Sequence, residues 1–249
     1  MIFAVLPAYN ESLALPLLLE EYCELSPQLS EPLRVVVVDD GSTDSTVQTA
    51  QTFSERLELV ILEHKVNRGL GAAFLTGFSY VAQAGKTSDS VVTMDADNTH
   101  SPRYIPEMLA SLNNSDIVIA SRYASGGKET GVPFLRSLLS HGASLLYSRL
   151  IGIPQVRDYT CGYRVYRLGI IQQGIEKYGS EFIQEPGFCS TGEILVKLAP
   201  LTESISEVGF ELRYDLKGGM SKMPKVKTVL RTLQLLRKLR RISRTLKVE

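Results

Sequence analysis

Asp95-Ala96-Asp97 is the residue pair in this sequence best suited to holding a hard cation. Two carboxylates two residues apart, in a turn at a strand end, can aim at one Mg²⁺ or Mn²⁺ while substrate phosphates complete its shell. Alone, such a pair reads equally well as a turn with solvated acids. Here an apolar run, Val91-Val92-Thr93-Met94, precedes it and His100-Ser101-Pro102 follows. His100 either faces that site or makes a structural hydrogen bond. Asp39-Asp40-Gly41-Ser42-Thr43-Asp44 is a second acidic cluster. Asp39 and Asp40 suit hydrogen bonds from a ribose or base, and Asp44 suits a helix cap. Arg122, Arg136, Arg164, Arg213 and Lys222 stand out as candidate phosphate ligands, the commonest task of a positioned cation. Asn67-Arg68-Gly69-Leu70-Gly71 opens a helix, where a backbone amide could approach a phosphate or sugar. It is no dinucleotide fingerprint, because Phe74 stands where the third glycine belongs. His64 and His141 have no partners at useful spacing. HExxH, GxSxG and GxxxxGK[ST] are absent, which removes zinc proteases, α/β-hydrolases and P-loop NTPases from consideration.

The elements that must position these groups are legible from hydrophobic runs. Ile2 to Leu6, Val35 to Val38, Leu59 to Leu62, Val91 to Met94 and Ile117 to Ala120 are short runs fit for strands buried on both faces. Helix-length segments lie between them at Leu13–Leu25, Ser45–Leu57 and Gly71–Ala84. Alternation of strand and helix predicts an α/β fold with a mostly parallel central sheet flanked by helices. Pro7-Ala8-Tyr9-Asn10-Glu11 follows the first strand, Asp39-Asp40 the second and Asp95-Ala96-Asp97 the fourth. Ligands of open α/β sheets bind beyond the carboxyl ends of strands, so the three clusters should converge on one crevice. Ser125 to Gly131, rich in glycine, reads as a mobile loop.

The 249 residues suffice for one domain with an appendage, and the three cysteines form no CxxC pair. A zinc finger, a redox motif and a disulfide scaffold are therefore not expected, and a reducing compartment is. The apolar start is too short for a signal peptide, and no stretch suits a membrane-spanning helix. The net charge of +0 hides a split. Ten basic residues between Lys222 and the end face only Glu249, leaving 17 basic and 26 acidic residues before them. A basic tail on an acidic body suggests an anionic surface as partner, and no nucleic acid.

In order and spacing, Pro7 to Glu11, Val38 to Asp44, Asn67-Arg68-Gly69 and Met94 to Asp97 resemble the inverting, GT-A-fold glycosyltransferases of family 2 over residues 1–123. Further on, Ser121-Arg122-Tyr123, Arg136 with Ser140, Asp158 to Arg164 and Gly219-Met220-Ser221-Lys222 resemble the dolichyl- or polyprenyl-phosphate mannosyl- and glucosyltransferase branch. The resemblance implies that Pro7, Tyr9, Glu11, Asp39 and Asp40 hold the nucleoside of GDP-mannose or UDP-glucose. Arg213 and Lys222 would bind its phosphates. Asp95 and Asp97 would carry the metal, and Arg122, Arg136 and Ser140 the acceptor phosphate. Thr99 departs from the pattern, since many relatives have Gln there. With 0 tryptophans the QxxRW signature of processive synthases is excluded, favouring single transfer.

A phosphate acceptor is already anionic, so it needs cations to hold it and no general base. A hydroxyl acceptor, the nearest rival, would need one, with Asp158 or Glu193 as candidates. A non-catalytic nucleotide-sugar-binding protein is the rival from another class, opposed by the intact Asp95, Asp97 and Lys222. A nucleotidylyltransferase lacks its Gly-rich, Lys-bearing loop after the first strand. The expected layout is a catalytic domain over 1–223 and a basic amphipathic tail over 224–249, cytoplasmic and peripherally bound to membrane. Within the tail, Val226, Val229, Leu230, Leu233 and Leu236 form one stripe, expected to dock on the domain. Leu235, Leu239, Ile242 and Leu246 form another, expected to face a bilayer.

Overall fold

A computed structural model describes residues 1–202, 204–217 and 225–245, with side chains of the final helix described over 230–240. Lys222, the Gly219–Lys222 motif and the 223/224 boundary lie outside the described residues. A seven-stranded sheet runs in the order β3 (Glu58–Glu63), β2 (Leu33–Asp39), β1 (Ile2–Ala8), β4 (Ser90–Thr93), β7 (Arg164–Arg167), β5 (Ile117–Ser121), β8 (Ile205–Gly209). Every pairing is parallel except the two made by β7. The five apolar runs are strands, and Val35 to Val38 are fully buried, as parallel strands covered on both faces require. β7 and β8 escaped the sequence reading because Arg164-Val165-Tyr166-Arg167 and Ile205 to Gly209 have no comparable apolar run.

The register aligns the ends that matter. Ala8 pairs with Asp39, and Val5 with Thr93. The three polar clusters therefore leave the sheet side by side from β2, β1 and β4, as the alternation predicted.

The helices are α1 (Leu15–Leu25), α2 (Thr46–Gln51), α3 (Leu70–Ala84), α4 (Ile105–Leu112), α5 (Phe134–Leu150), α6 (Leu168–Tyr178), α7 (Ser190–Leu198) and α8 (Lys225–Thr245). α3 lies on β1 and β2, and α4 on β5, β7 and β8. Gly77 permits the close seat of α3, since a Cβ there would stand 2.4 Å from Val5 Cγ1. α2 is shorter than the Ser45–Leu57 segment read from sequence. Its run of Thr46, Val47, Thr49 and Thr52 is weakly helical, and the Thr52 hydroxyl donates to the Thr49 carbonyl at 2.8 Å. The Ser125–Gly131 segment is not wholly a loop. It contains β6 (Lys128–Thr130), which pairs in parallel with β9 (Glu211–Arg213). Gly127 and Gly209 let the chains approach closely there.

α8 packs on α5 and α7, with Leu235, Leu236 and Leu239 buried and Leu230 and Leu233 exposed. This reverses the expected orientation in part: Leu236, expected to dock, does so, and Val226 and Val229 lie outside the described side chains. Leu235 and Leu239, expected at a bilayer, seat the helix on the domain. Leu230 and Leu233, expected to dock, face outward. Ile242 and Leu246 lie outside the described side chains.

Candidate active site

The β1–α1 loop and the β2–α2 loop are laced together. Asn10, at φ 53°, accepts from the Thr43 amide, and Ser42 Oγ accepts from the Asn10 amide at 2.9 Å. Asp44, one residue ahead of the Ser45 N-cap of α2, accepts from the Thr46 and Ser12 amides and so supports the helix start and ties the two loops together. Asp39 is buried. One of its oxygens accepts from the Ser42 amide at 3.0 Å, and the other has no partner among the described residues. Asp40 is committed to the protein: it accepts from His64 Nδ1 at 2.7 Å and from the amides of Arg68 and Gly69 at 2.9 and 2.7 Å. His64 thus has a partner after all, which linear spacing could not reveal. The Gly69 amide is spent on Asp40 and the Gly71 amide on the Pro186 carbonyl. Neither is left for a phosphate, and the glycines serve close packing instead. A Cβ on Gly69 would sit 2.2 Å from Pro186 O, and one on Gly71 1.9 Å from Glu185 O.

Asp95 and Asp97 follow β4. The Asp95 carboxylate has no hydrogen bond or ion pair with the described residues, and burial together with Asp97 raises its affinity for a proton. Asp97 is nine-tenths buried; its Oδ1 accepts from Thr99 Oγ1 at 2.6 Å and its Oδ2 is ion-paired to Lys217. Burial alone would raise its pKa, but the Lys217 ammonium and the Thr99 bonds outweigh it and hold the carboxyl below its ordinary range. Thr99 therefore positions Asp97 rather than extending a donor set outward. His100 is structural: its Nδ1 accepts from the Asp95 amide at 3.3 Å, and its ring packs on Tyr163 and Phe210. Burial disfavours its charged form, which keeps that nitrogen an acceptor.

Two cavities meet at this point. The first, of about 320 Å³, is lined by Pro7, Tyr9, Glu11, Asp40, Asp97, Lys217 and Arg231 among others. The second, of about 290 Å³, is lined largely by apolar groups, including Leu138, Leu139, Leu146, Leu212 and Leu233, with Arg122, Ser140 and Thr160. Asp95, Arg136 and Phe188 belong to both.

Arg122 is nearly buried. Its Nε and Nη2 each donate to Asp158 at 2.7 Å, Nη2 also to Thr160 at 2.7 Å and Nη1 to Glu129 at 3.2 Å. Asp158 is fully buried, and despite burial the guanidinium and backbone amides depress its pKa. Arg136, in the first turn of α5, stacks over Tyr214 at 4.8 Å. Ser140 accepts from the Tyr123 hydroxyl at 3.1 Å. Arg213 turns away to Asp215 at 2.7 Å and lines neither cavity. Arg164 is no phosphate ligand: it is fully buried in β7, where it donates to the carbonyls of Thr191 and Tyr159. Glu193 is fully buried too. It accepts from the amides of Gln184 and Glu185 and pairs with Lys197 at 2.6 Å. Neither Asp158 nor Glu193 is thus placed as a base for a hydroxyl acceptor. Sequence reasoning missed Lys217 and Arg231. Lys217 carries no motif of its own, and Arg231 is one charge among the ten of the basic tail.

The profile of glycosyl transferase family 2 matches residues 3–174. An undecaprenyl-phosphate mannosyltransferase of Micrococcus luteus is 32% identical over 83% of this chain and 81% of its own length. A polyprenol monophosphomannose synthase of Mycolicibacterium smegmatis is 33% identical over 74% of this chain and 67% of its own. A dolichol-phosphate mannosyltransferase of Pyrococcus furiosus is 33% identical over 78% of this chain, which spans about half (51%) of that relative. Among solved structures, glucosyl-3-phosphoglycerate synthase of Mycobacterium tuberculosis, in complex with Mn²⁺, UDP and phosphoglyceric acid, aligns with a TM-score of 0.64 at 18% identity, covering 95% of this chain and 78% of that one. TarS of S. aureus with UDP-GlcNAc aligns at 0.60 and 20% identity, covering 96% and 66%. These two share the GT-A fold with it. With the profile spanning most of the chain and relatives above 30% identity across three quarters or more of it, the chain belongs to glycosyltransferase family 2 and is a glycosyltransferase.

Proposed function

We propose that this enzyme transfers one hexose, mannose in the first instance, from a nucleotide-diphosphate sugar to a polyprenyl phosphate, with inversion at the anomeric carbon. The observation that carries this reading is the meeting, at Asp95 and Arg136, of a cavity bordered by most of the site's charged side chains, here called the polar one, and a cavity lined largely by leucines, the apolar one. The polar cavity suits a nucleoside diphosphate. The apolar one, with arginines among leucines, suits a phosphate attached to an isoprenoid chain. The names of the relatives at 32–33% identity support the same acceptor class and mannose as the sugar.

Pro7, Tyr9 and Glu11 border the donor base and ribose, and Asp40 holds the loop opposite them. The acceptor phosphate, held by Arg136 with Arg122 and Ser140, attacks the anomeric carbon from the face opposite the diphosphate. One C–O bond forms as the other breaks, through an oxocarbenium-like state, and the diphosphate leaves with the electron pair. Lys217 and Arg136 stabilise the charge that builds on it. No proton has to be removed from an anionic acceptor. This agrees with Asp158 and Glu193 being consumed by buried ion pairs.

Asp95 and Asp97 fit a hard divalent cation. Both residues line the polar cavity, and Asp97 Oδ2 already attracts the ammonium of Lys217, which lines it too. Mg²⁺ or Mn²⁺ held there would neutralise diphosphate charge as it develops. Lys217 would then be released to the phosphates. Arg213 and Lys222 remain proposed donor-phosphate ligands, Arg213 only after leaving Asp215.

No helix among the described residues is long and apolar enough to cross a membrane. Phe134, Leu135, Leu138 and Leu145 of α5 and Leu230 and Leu233 of α8 are nonetheless exposed, and α5 packs on α8. Such a patch, larger than isolated surface leucines, supports peripheral seating on a lipid surface. Leu138 and Leu233 also line the apolar cavity, so the acceptor chain could pass from bilayer to site. Incubation of the protein with radiolabelled GDP-mannose, UDP-glucose and other donors, each with one polyprenyl phosphate, tests the reading. Lipid-linked label from GDP-mannose is expected, and its absence with every donor would refute it.

A further inference from the structure

The C-terminal helix reaches the polar cavity through one residue. Arg231 lines it together with Glu11, Asp40, Asp95, Asp97, Arg136 and Lys217. Carboxylates thus outnumber cations in that lining even before a diphosphate adds its own negative charge. Lys217 is drawn to Asp97, and Arg136 is shared with the apolar cavity and stacked on Tyr214. A leaving diphosphate therefore needs further positive charge, and Arg231 is the cation that α8 brings there.

The seat of Arg231 is fixed by packing. Leu235, Leu236 and Leu239 bury the helix on the domain. Thr232 Oγ1 lies 3.3 Å from Cys189 Sγ, and Lys238 Nζ donates to Gln184 Oε1. Both contacts fall on the 184–189 segment, whose Pro186, Gly187 and Phe188 form a wall of the cavity. Arg231 Nη1 stands over that wall, 3.7 Å from where a Cβ on Gly187 would be. The same segment is anchored from behind by the buried Glu193, through the Gln184 and Glu185 amides. Successive residues of one helix thus serve different cavities: Arg231 the polar one, Thr232 and Leu233 the apolar one.

We propose that Arg231 is a ligand of the donor diphosphate, so that α8, which lies well beyond the residues matched by the family profile, is part of the donor site and not an accessory to it. This rests on the glycosyl-transfer reading above. The rival role for Arg231 is to screen Glu185, the acid nearest it on the 184–189 segment. The two roles separate on ligand binding against stability of the free protein. Full-length wild type, Arg231→Gln and Arg231→Lys are titrated with GDP and with UDP in Mg²⁺ by calorimetry, and their melting temperatures are taken without nucleotide. Loss of one charge-assisted phosphate contact is expected to weaken the better-bound diphosphate about tenfold to a hundredfold in Arg231→Gln. Arg231→Lys is expected to recover part of that loss, and the nucleotide-free melting temperatures to agree. In turnover, donor KM should rise in Arg231→Gln while acceptor KM holds. Diphosphate affinity equal to wild type in Arg231→Gln would overturn the assignment. So would a loss of affinity that follows a lowered melting temperature and is not relieved by lysine. Wild type that binds neither GDP nor UDP would overturn the functional reading itself.

Discussion

Replacing Asp158 by alanine probes whether Arg122 is set in place by a buried ion pair. Asp158 is fully buried and accepts two charge-assisted bonds of 2.7 Å from Arg122. It also accepts from the amides of Arg122, Thr160 and Cys161 at 3.2, 3.2 and 3.1 Å. Alanine removes all of these, and the bond from the Thr160 hydroxyl at 3.3 Å, and leaves a buried guanidinium with Glu129 as its remaining carboxylate. Breaking such a pair costs about 3–5 kcal/mol, or roughly 6–20 °C in melting temperature for a chain of this size. The pH dependence has a defined sign. The folded-state pKa of Asp158 is depressed, chiefly by Arg122 acting against burial. Its contribution is therefore whole above the ordinary carboxylate value of about 3.9 and is lost as pH falls through the lower folded-state value. The stability gap between wild type and Asp158→Ala should be constant from neutral pH to about 5 and shrink below about 4. The paired replacement Arg122→Met/Asp158→Leu removes both charges and should recover the part of the loss that comes from the unpaired guanidinium, but not the part that comes from the three amides left without an acceptor. It should not recover transfer, because the proposed acceptor-phosphate site has lost Arg122. Urea denaturation across pH, with transfer assays on the same proteins, makes the comparison. A loss below about 1 kcal/mol for Asp158→Ala, or full transfer by the double variant, would refute the reasoning.

Arg136→Ala should raise acceptor KM about tenfold to a hundredfold. Because Arg136 borders both cavities, a fall in kcat should accompany it; an unchanged acceptor KM in steady-state assays would count against its role. Asp97→Ala, and wild type in excess EDTA, should both lose transfer while the variant keeps its circular dichroism spectrum; full activity in EDTA would remove the metal from the account. Glu193→Ala leaves the buried Lys197 unpaired and releases the 184–185 amides, so it should cost about 3–5 kcal/mol in denaturant titrations, with a loss under 1 kcal/mol as the contrary result. Leu145→Asp with Leu230→Asp alters exposed positions outside both cavities. It should abolish sedimentation with anionic vesicles, shift stability by no more than about 0.5 kcal/mol per site, and spare transfer to a short soluble acceptor.

The strand ends and their polar clusters were readable because burial on both faces writes itself as runs of Val, Ile and Leu. Asp95, Asp97 and the loops after β1 and β2 followed from that reading. What was not readable was the direction of each side chain once paired. Arg164 and Arg122 look alike in sequence, each beside a tyrosine, yet Arg164 is consumed by backbone carbonyls and Arg122 reaches a cavity. Asp40 spends its oxygens on amides 28 and 29 residues along the chain, and Glu193 on amides in the preceding loop, which no motif spacing encodes. The orientation of α8 was misread for a related reason. Its two leucine stripes are similar in strength, and the choice between them depends on the surfaces of α5 and α7, which only the fold supplies. Lys217 and Arg231 enter the polar cavity from the end of the β9 region and from the tail, regions where sequence offers charge but no motif.

The central claim is that the nucleophile is a phosphate seated among leucines and arginines, next to a nucleotide-sugar cleft. Its most direct test offers the enzyme GDP-mannose with matched polyprenyl phosphate and polyprenol, the two acceptors differing only in the phosphate. Mannosyl transfer to the phosphate, with none to the alcohol, is the predicted result. Equal transfer to polyprenol, or transfer to the alcohol alone, would contradict it.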